Sequence, residues 1–138
     1  MQIKWKDEYS VNIAEIDKQH KKLFELAERV YTMANLDDDY DHYDEIMDVL
    51  KELKDYTVYH FGYEEQLMDK YGYERTEAHK IEHHFVVKKI QKFESRDVDD
   101  MQKETILDLL AFVSDWIAGH ILKEDMAYKE FFNSHGIY

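Results

Sequence analysis

The chain has 138 residues, enough for one hydrophobic core and short for two. A formal net charge of −13 leaves no basic surface for nucleic acid or an anionic membrane, and no apolar stretch approaches the ~20 residues of a membrane span. With no cysteine there is neither a disulfide framework nor a thiolate metal site, and with the charged start MQIKWKDEYS, unlike a secretory signal, the expected compartment is cytoplasmic.

Residues 1–16 read as an extended arm, with Trp5 as its anchor against the rest of the protein. There is no proline and glycine occurs only four times, so helix is favoured from there on. Four segments carry apolar residues at helical spacing. The first spans about Asp17 to Leu36, with a stripe through Leu23, Phe24, Ala27, Val30, Tyr31 and Ala34. The polar run 37–41 interrupts the pattern, its acidic part 37–39 reading as a solvated turn because it lacks the spacing of a calcium loop. The second helix spans about Tyr40 to Tyr71, with Ile46, Val49, Leu50, Leu53, Tyr56 and Leu67 inward and Gly72 as its terminator. The third opens at Thr76, a good N-cap, carries Val86, Ile90 and Phe93, and ends near Arg96. The fourth opens at Asp99 or Asp100, carries Ile106, Leu109, Leu110, Val113 and Ile117, and runs to about Phe131. Short connections make neighbouring helices antiparallel. The expected fold is all-α, an up-down-up-down four-helix bundle over about 17–131 with the N-terminal arm, 1–138 forming a single domain.

Eight histidines are many for this length. When each apolar stripe is extended by its own period, it reaches a histidine: His20 on the first helix, His60 and then Glu64 on the second, His79 and His83 on the third, His120 on the fourth. One histidine on an apolar face is most often a satisfied core residue. Four faces doing this together, with a glutamate included, are not explained that way. The starts of odd helices and the ends of even helices share one end of an antiparallel bundle, so these groups, with Asp125 late in the fourth helix, converge. His60/Glu64 and His79/His83 are i,i+4 pairs on single helix faces. Imidazole suits zinc, copper, iron and nickel, and carboxylates bridge cations. Seven candidates exceed the four ligands that saturate one zinc and suit two ions. No histidine has a glutamate three residues before it, so the Glu-x-x-His pair of ferritin-like sites is missing. His42, His84 and His135 read as ordinary surface histidines.

The segments IDKQH (16–20), HFGYE (60–64), HKIEH (79–83) and HILKED (120–125), in this order over nearly the whole chain, resemble the hemerythrins, especially the bacterial ones. The resemblance implies two iron ions with dioxygen as ligand. His79, His83 and His120 would bind one iron, His20 and His60 the other, and Glu64 and Asp125 would bridge them with an oxo or hydroxo group. Coordination counting then leaves one open position, on the iron with two histidines, for reversible O2 binding. Leu23, Phe24, Trp116 and Ile117 are candidates for a dry pocket wall. The expected role is oxygen carrier, store or scavenger rather than enzyme. The alternatives are a sensor read by a partner protein and an oxidase or peroxidase at the same irons.

HILKED holds a conflict. At about 100° per residue, His120 and Glu124 differ by about 40° and His120 and Asp125 by about 140°. Helical phase nominates Glu124 as the ligand; the resemblance nominates Asp125. One π-type turn within 115–126 reconciles them, and Gly119 eases such a distortion. Asp125 as the bridge, with Glu124 turned to solvent or a surface partner, is the expectation.

Overall fold

The computed structural model describes residues 4–36 and 40–138, so the acidic run 37–39 lies outside the described residues. Four helical rods, α1 Ala14–Ala34, α2 Tyr43–Tyr71, α3 Thr76–Glu94 and a fourth beginning with α4 Gln102–Trp116, pack as an all-α bundle with no strand among the described residues. The fourth rod continues through a π-helical segment, Ile117–Asp125, into α5 Met126–Ser134. α1 packs against α2 and α4, and α2 against α3.

The helix ends differ from the sequence expectation for local reasons. α1 begins at Ala14 rather than Asp17, because the Asp17 carboxylate serves the arm: it accepts the Ser10 hydroxyl and, at 2.9 Å, the Val11 N–H. α2 begins at Tyr43 rather than Tyr40, and Asp41 Oδ1 accepts the Tyr43 N–H at 2.9 Å just ahead of it. Gly72 ends α2 in the left-handed region, φ 68°, and the next N–H, Tyr73, reaches back to the Met68 carbonyl at 3.0 Å. Thr76 is a helical residue and not the N-cap; its hydroxyl donates to the Tyr73 carbonyl, and α3 ends at Glu94 rather than Arg96. α4 starts at Gln102, three residues past Asp99 and two past Asp100. On α2 the stripe steps from Leu53 to Thr57, Phe61 and Met68, leaving Tyr56 and Leu67 only half-buried.

The core is in two parts. The larger holds Leu23, Phe24, Ala27, Val30, Leu50, Leu53, Phe61, Ile90, Leu109, Val113, Ile117 and Ile121 among others. The smaller joins Val11, Ile13 and Ile16 to Met68, Tyr73, Tyr128 and Phe132, so the arm closes one end of the bundle. Farther out, Tyr9 stacks on Phe24 with ring centres 5.1 Å apart, and Trp5 meets Phe24 edge-on at 5.7 Å. Asn12, at φ 55°, is tied to the C-terminal region through Asn133 at 2.9 Å.

One expectation is corrected. The helical run Gln102–Ser134 contains a window of mean hydropathy 1.5, long and apolar enough to cross a membrane by length and composition alone. Half of that window is buried inside the bundle, which is how a core helix spends its apolar residues.

Candidate metal centre

Between the two cores lie polar side chains. Along α1, His20 falls between Ile16 of the small core and Leu23 of the large one; along α2, His60 and Glu64 precede Met68. His79 and His83 occupy the first turns of α3, between Tyr73 and Val86, and His120 and Asp125 precede Tyr128. None of the seven is more than 2 % exposed. Their ligand-type atoms form two groups, His79/His83/His120 and His20/His60/Glu64/Asp125, within each of which the atoms lie within 4.8 Å of one another.

The Nε2 atoms of His20, His60, His83 and His120 turn inward toward the two carboxylates. Asp125 Oδ2 is 2.9 Å from His20 Nε2 and Asp125 Oδ1 is 3.0 Å from His120 Nε2, so its two oxygens face different groups. Glu64 Oε1 lies 2.8 Å from His60 Nε2 and 3.8 Å from His83 Nε2. Glu64 Oε2 accepts the Tyr128 hydroxyl at 2.6 Å.

The π segment decides which acid of HILKED enters. Over nine residues the helix hydrogen-bonds i→i+5, which carries Asp125 back beneath His120. Asp125 is 0 % exposed, while the Glu124 side chain is 30 % exposed and pairs with Arg75 at 3.4 Å. A regular α-helix would have reversed the two.

Electrostatics follow from burial and crowding. Burial alone would raise the Asp125 carboxyl, but His120 and His20 hold it well below the usual carboxylate range. Burial would likewise lower the His120 imidazole, yet Asp125 and then Glu82 hold it well above its ordinary value. For His83 burial wins and the imidazole is pulled down, with Glu64 only partly offsetting. Burial and then Asp125 push Glu64 up, but its contacts with His60 and His120 leave it lowered. Burial drives the Tyr128 phenol well up.

These residues fit a cation pair. Each of the seven has at least one buried nitrogen or oxygen without a hydrogen-bond partner, His20 and His79 having both ring nitrogens in that state. An unsatisfied buried polar group costs about 1–3 kcal/mol, more if charged, so this many at one place ask for a positive charge to bind. Five imidazoles and two carboxylates suit first-row divalent metals, with too many donors for one tetrahedral ion.

Reading the stripes did not reveal five further residues at the site. Gln19, Glu65 and Glu82 stand behind the imidazoles: His60 Nδ1 lies 2.8 Å from Gln19 Oε1, His83 Nδ1 3.1 Å from Glu65 Oε2 and His120 Nδ1 3.3 Å from Glu82 Oε1. Each is the chain neighbour of a cluster residue, and that adjacency was the available signal. Tyr128 lies three residues beyond Asp125. Phe61 stacks on His83, ring centres 3.7 Å apart and 3° from parallel, and meets Trp116 edge-on at 5.7 Å. Of the four pocket-wall candidates, all are buried, and Trp116 lies beside His120 with ring centres 6.1 Å apart. Phe24's ring partners are Tyr9 and Trp5 of the arm. The other histidines stay apart from the clusters: His84 and His135 are exposed, and His42 sits half-buried ahead of α2.

Comparison with known proteins agrees with this geometry. The hemerythrin HHE cation binding domain matches residues 11–132. A bacteriohemerythrin of Clostridium acetobutylicum is 40% identical over 124 residues, covering 90% of this chain and 96% of its own length. A bacteriohemerythrin of Pseudomonas aeruginosa is 31% identical over 131 residues, 91% of this chain and 78% of its own. A hemerythrin-like protein of Naegleria gruberi is 30% identical over 126 residues, 91% of this chain and 89% of its own. Matched over most of its length by both the domain and these relatives, the chain belongs to the hemerythrin family.

Proposed function

We propose that the chain is one hemerythrin domain that binds O2 reversibly at a non-haem di-iron centre, acting as an oxygen carrier, store or scavenger in the cytoplasm. His79, His83 and His120 would hold one iron, His20 and His60 the other, and Glu64 and Asp125 would serve both. Two irons held there, with an oxo or hydroxo group between them, would supply what no side chain does, a reversible redox pair for O2. The observation that carries this reading is the convergence of seven side chains, none more than 2 % exposed, whose inward atoms crowd together without hydrogen bonds to satisfy them. The split of Asp125's oxygens between His20 and His120 supports a bridging role.

The chain's own residues do three things here. The imidazoles present Nε2 inward, and the groups behind His60, His83 and His120 fix that orientation. Tyr128 donates to Glu64 Oε2 and so holds the carboxylate's rotamer. Leu23, Phe24, Trp116 and Ile117, together with Phe61, exclude water, which slows loss of reduced oxygen species.

The test is stopped-flow mixing of the iron-loaded, reduced protein with O2, followed by argon purging. A visible absorption that forms and then disappears on purging is expected. Steady O2 consumption with a reductant present, far beyond two electrons per site, would replace the binding role with an oxidase. Absorption that never reverses would remove it.

A further inference from the structure

Gln19, Glu65 and Glu82 share one arrangement. Each follows or precedes a cluster residue on its own helix and supports a histidine on the next rod: Gln19 of α1 supports His60 of α2, Glu65 of α2 supports His83 of α3, and Glu82 of α3 supports His120 of the π segment. The supports differ in charge. His60 has a neutral amide behind it. His83 and His120, both in the three-histidine group, have carboxylates. One histidine of each group, His79 and His20, has an Nδ1 without a hydrogen-bond partner.

Of the inner carboxylates, Asp125 is shared, 2.9 Å from His20 and 3.0 Å from His120, while Glu64 leans to the two-histidine group, 2.8 Å from His60 against 3.8 Å from His83; the outer carboxylates stand on the opposite side. The outer pair is one-sided. A carboxylate accepting Nδ1–H fixes the tautomer with its Nε2 lone pair inward and raises the basicity of the ligand, which an amide carbonyl does more weakly. It also adds a negative charge behind a position meant for a dication. Glu65 and Glu82 are 29 % and 39 % exposed at the side chain, so water carries much of their own solvation and they reach their histidines without full burial of the charge.

We propose that Glu65 and Glu82 are positioning residues that make the three-histidine group the tighter cation position, so that the protein fills with divalent cations in a fixed order, three-histidine position first. This rests on the two-cation reading above. It concerns affinity and order of filling and is independent of what the filled centre does with O2.

The experiment titrates chelator-treated, cation-free protein with cobalt(II) alone, following its d–d absorption and competing with a chromophoric chelator. Wild type should take two equivalents in two resolved steps. Glu65→Gln with Glu82→Gln should weaken the first step by about 10–100-fold, the usual effect of removing such support, and leave the second within about threefold. Gln19→Leu should weaken only the second step. Glu82→Gln alone, at a part-exposed position, guards against a folding artefact, and far-UV circular dichroism of each cation-free variant checks the bundle. A wild type that takes fewer than two cobalt ions would remove the two-cation reading itself. Two steps in wild type with the glutamine variants unchanged, or with both steps weakened equally, would overturn this inference alone.

Discussion

The π segment makes a prediction that separates two neighbouring acids. Asp125→Asn and Glu124→Gln are the same chemical change one residue apart. Asp125 is 0 % exposed, 2.9 Å from His20 Nε2 and 3.0 Å from His120 Nε2, and removing one partner of a buried charge pair costs about 3–5 kcal/mol. Glu124 is 30 % exposed, and its 3.4 Å contact with a 52 % exposed Arg75 is the kind of surface pair worth about 0–1 kcal/mol. In the cation-free protein the two variants should therefore differ by at least about 2 kcal/mol, which at a urea dependence of about 1–3 kcal/mol per molar separates their unfolding midpoints by roughly 1 M. The assay is urea unfolding at neutral pH followed by circular dichroism, after chelation. Iron stoichiometry gives a second reading: Glu124→Gln should keep two irons per chain, and Asp125→Asn should lose at least one. Equal midpoints, or loss of iron from Glu124→Gln with Asp125→Asn spared, would mean that Asp125 is not the group facing the cations.

Three more outcomes are expected. His83→Ala should lose cation from the three-histidine group while His84→Ala keeps it, since His83 is 2 % exposed and His84 faces solvent; metal analysis of the two variants decides, and equal loss would contradict the helical phase of α3. In the cation-free protein the penalty of Asp125→Asn should depend on pH. Asp125 is held low, so its contribution exists above the unfolded value of about 3.9 and is lost as pH falls toward its folded value; His120 is held high, so its contribution is complete below about 6.5 and is lost as pH rises through its folded value. The penalty should thus peak between about pH 4 and 6.5, and unfolding curves giving a flat penalty up to pH 9 would contradict the pairing. Gly72→Ala should cost about 1–2 kcal/mol by thermal unfolding, because φ is 68° while a Cβ there meets nothing within 4 Å, leaving the left-handed backbone as the sole source of strain; no loss would show that the helix end had relaxed.

Apolar periodicity by itself determined the four rods and their antiparallel order, because helices that bury one stripe against each other leave few other arrangements. It also brought His20, His60, Glu64, His79, His83 and His120 to one end, since on a regular helix the face is a function of residue number alone. The sequence could not place Asp125 that way. The π segment Ile117–Asp125 breaks the 100° step; the family resemblance called for such a turn, and the structure fixes its nine-residue extent, with Ile117, Ile121 and Tyr128 packed in the cores. The helix starts depart from the sequence expectation where a side chain bonds to a segment outside its own helix. Asp17 holds the arm, and the Thr76 hydroxyl turns back to Tyr73. The residues behind the imidazoles were also invisible from one helix at a time. Gln19, Glu65 and Glu82 lie off their own stripes, and their partners sit 41, 18 and 38 residues away, so only the packed bundle brings each to its histidine.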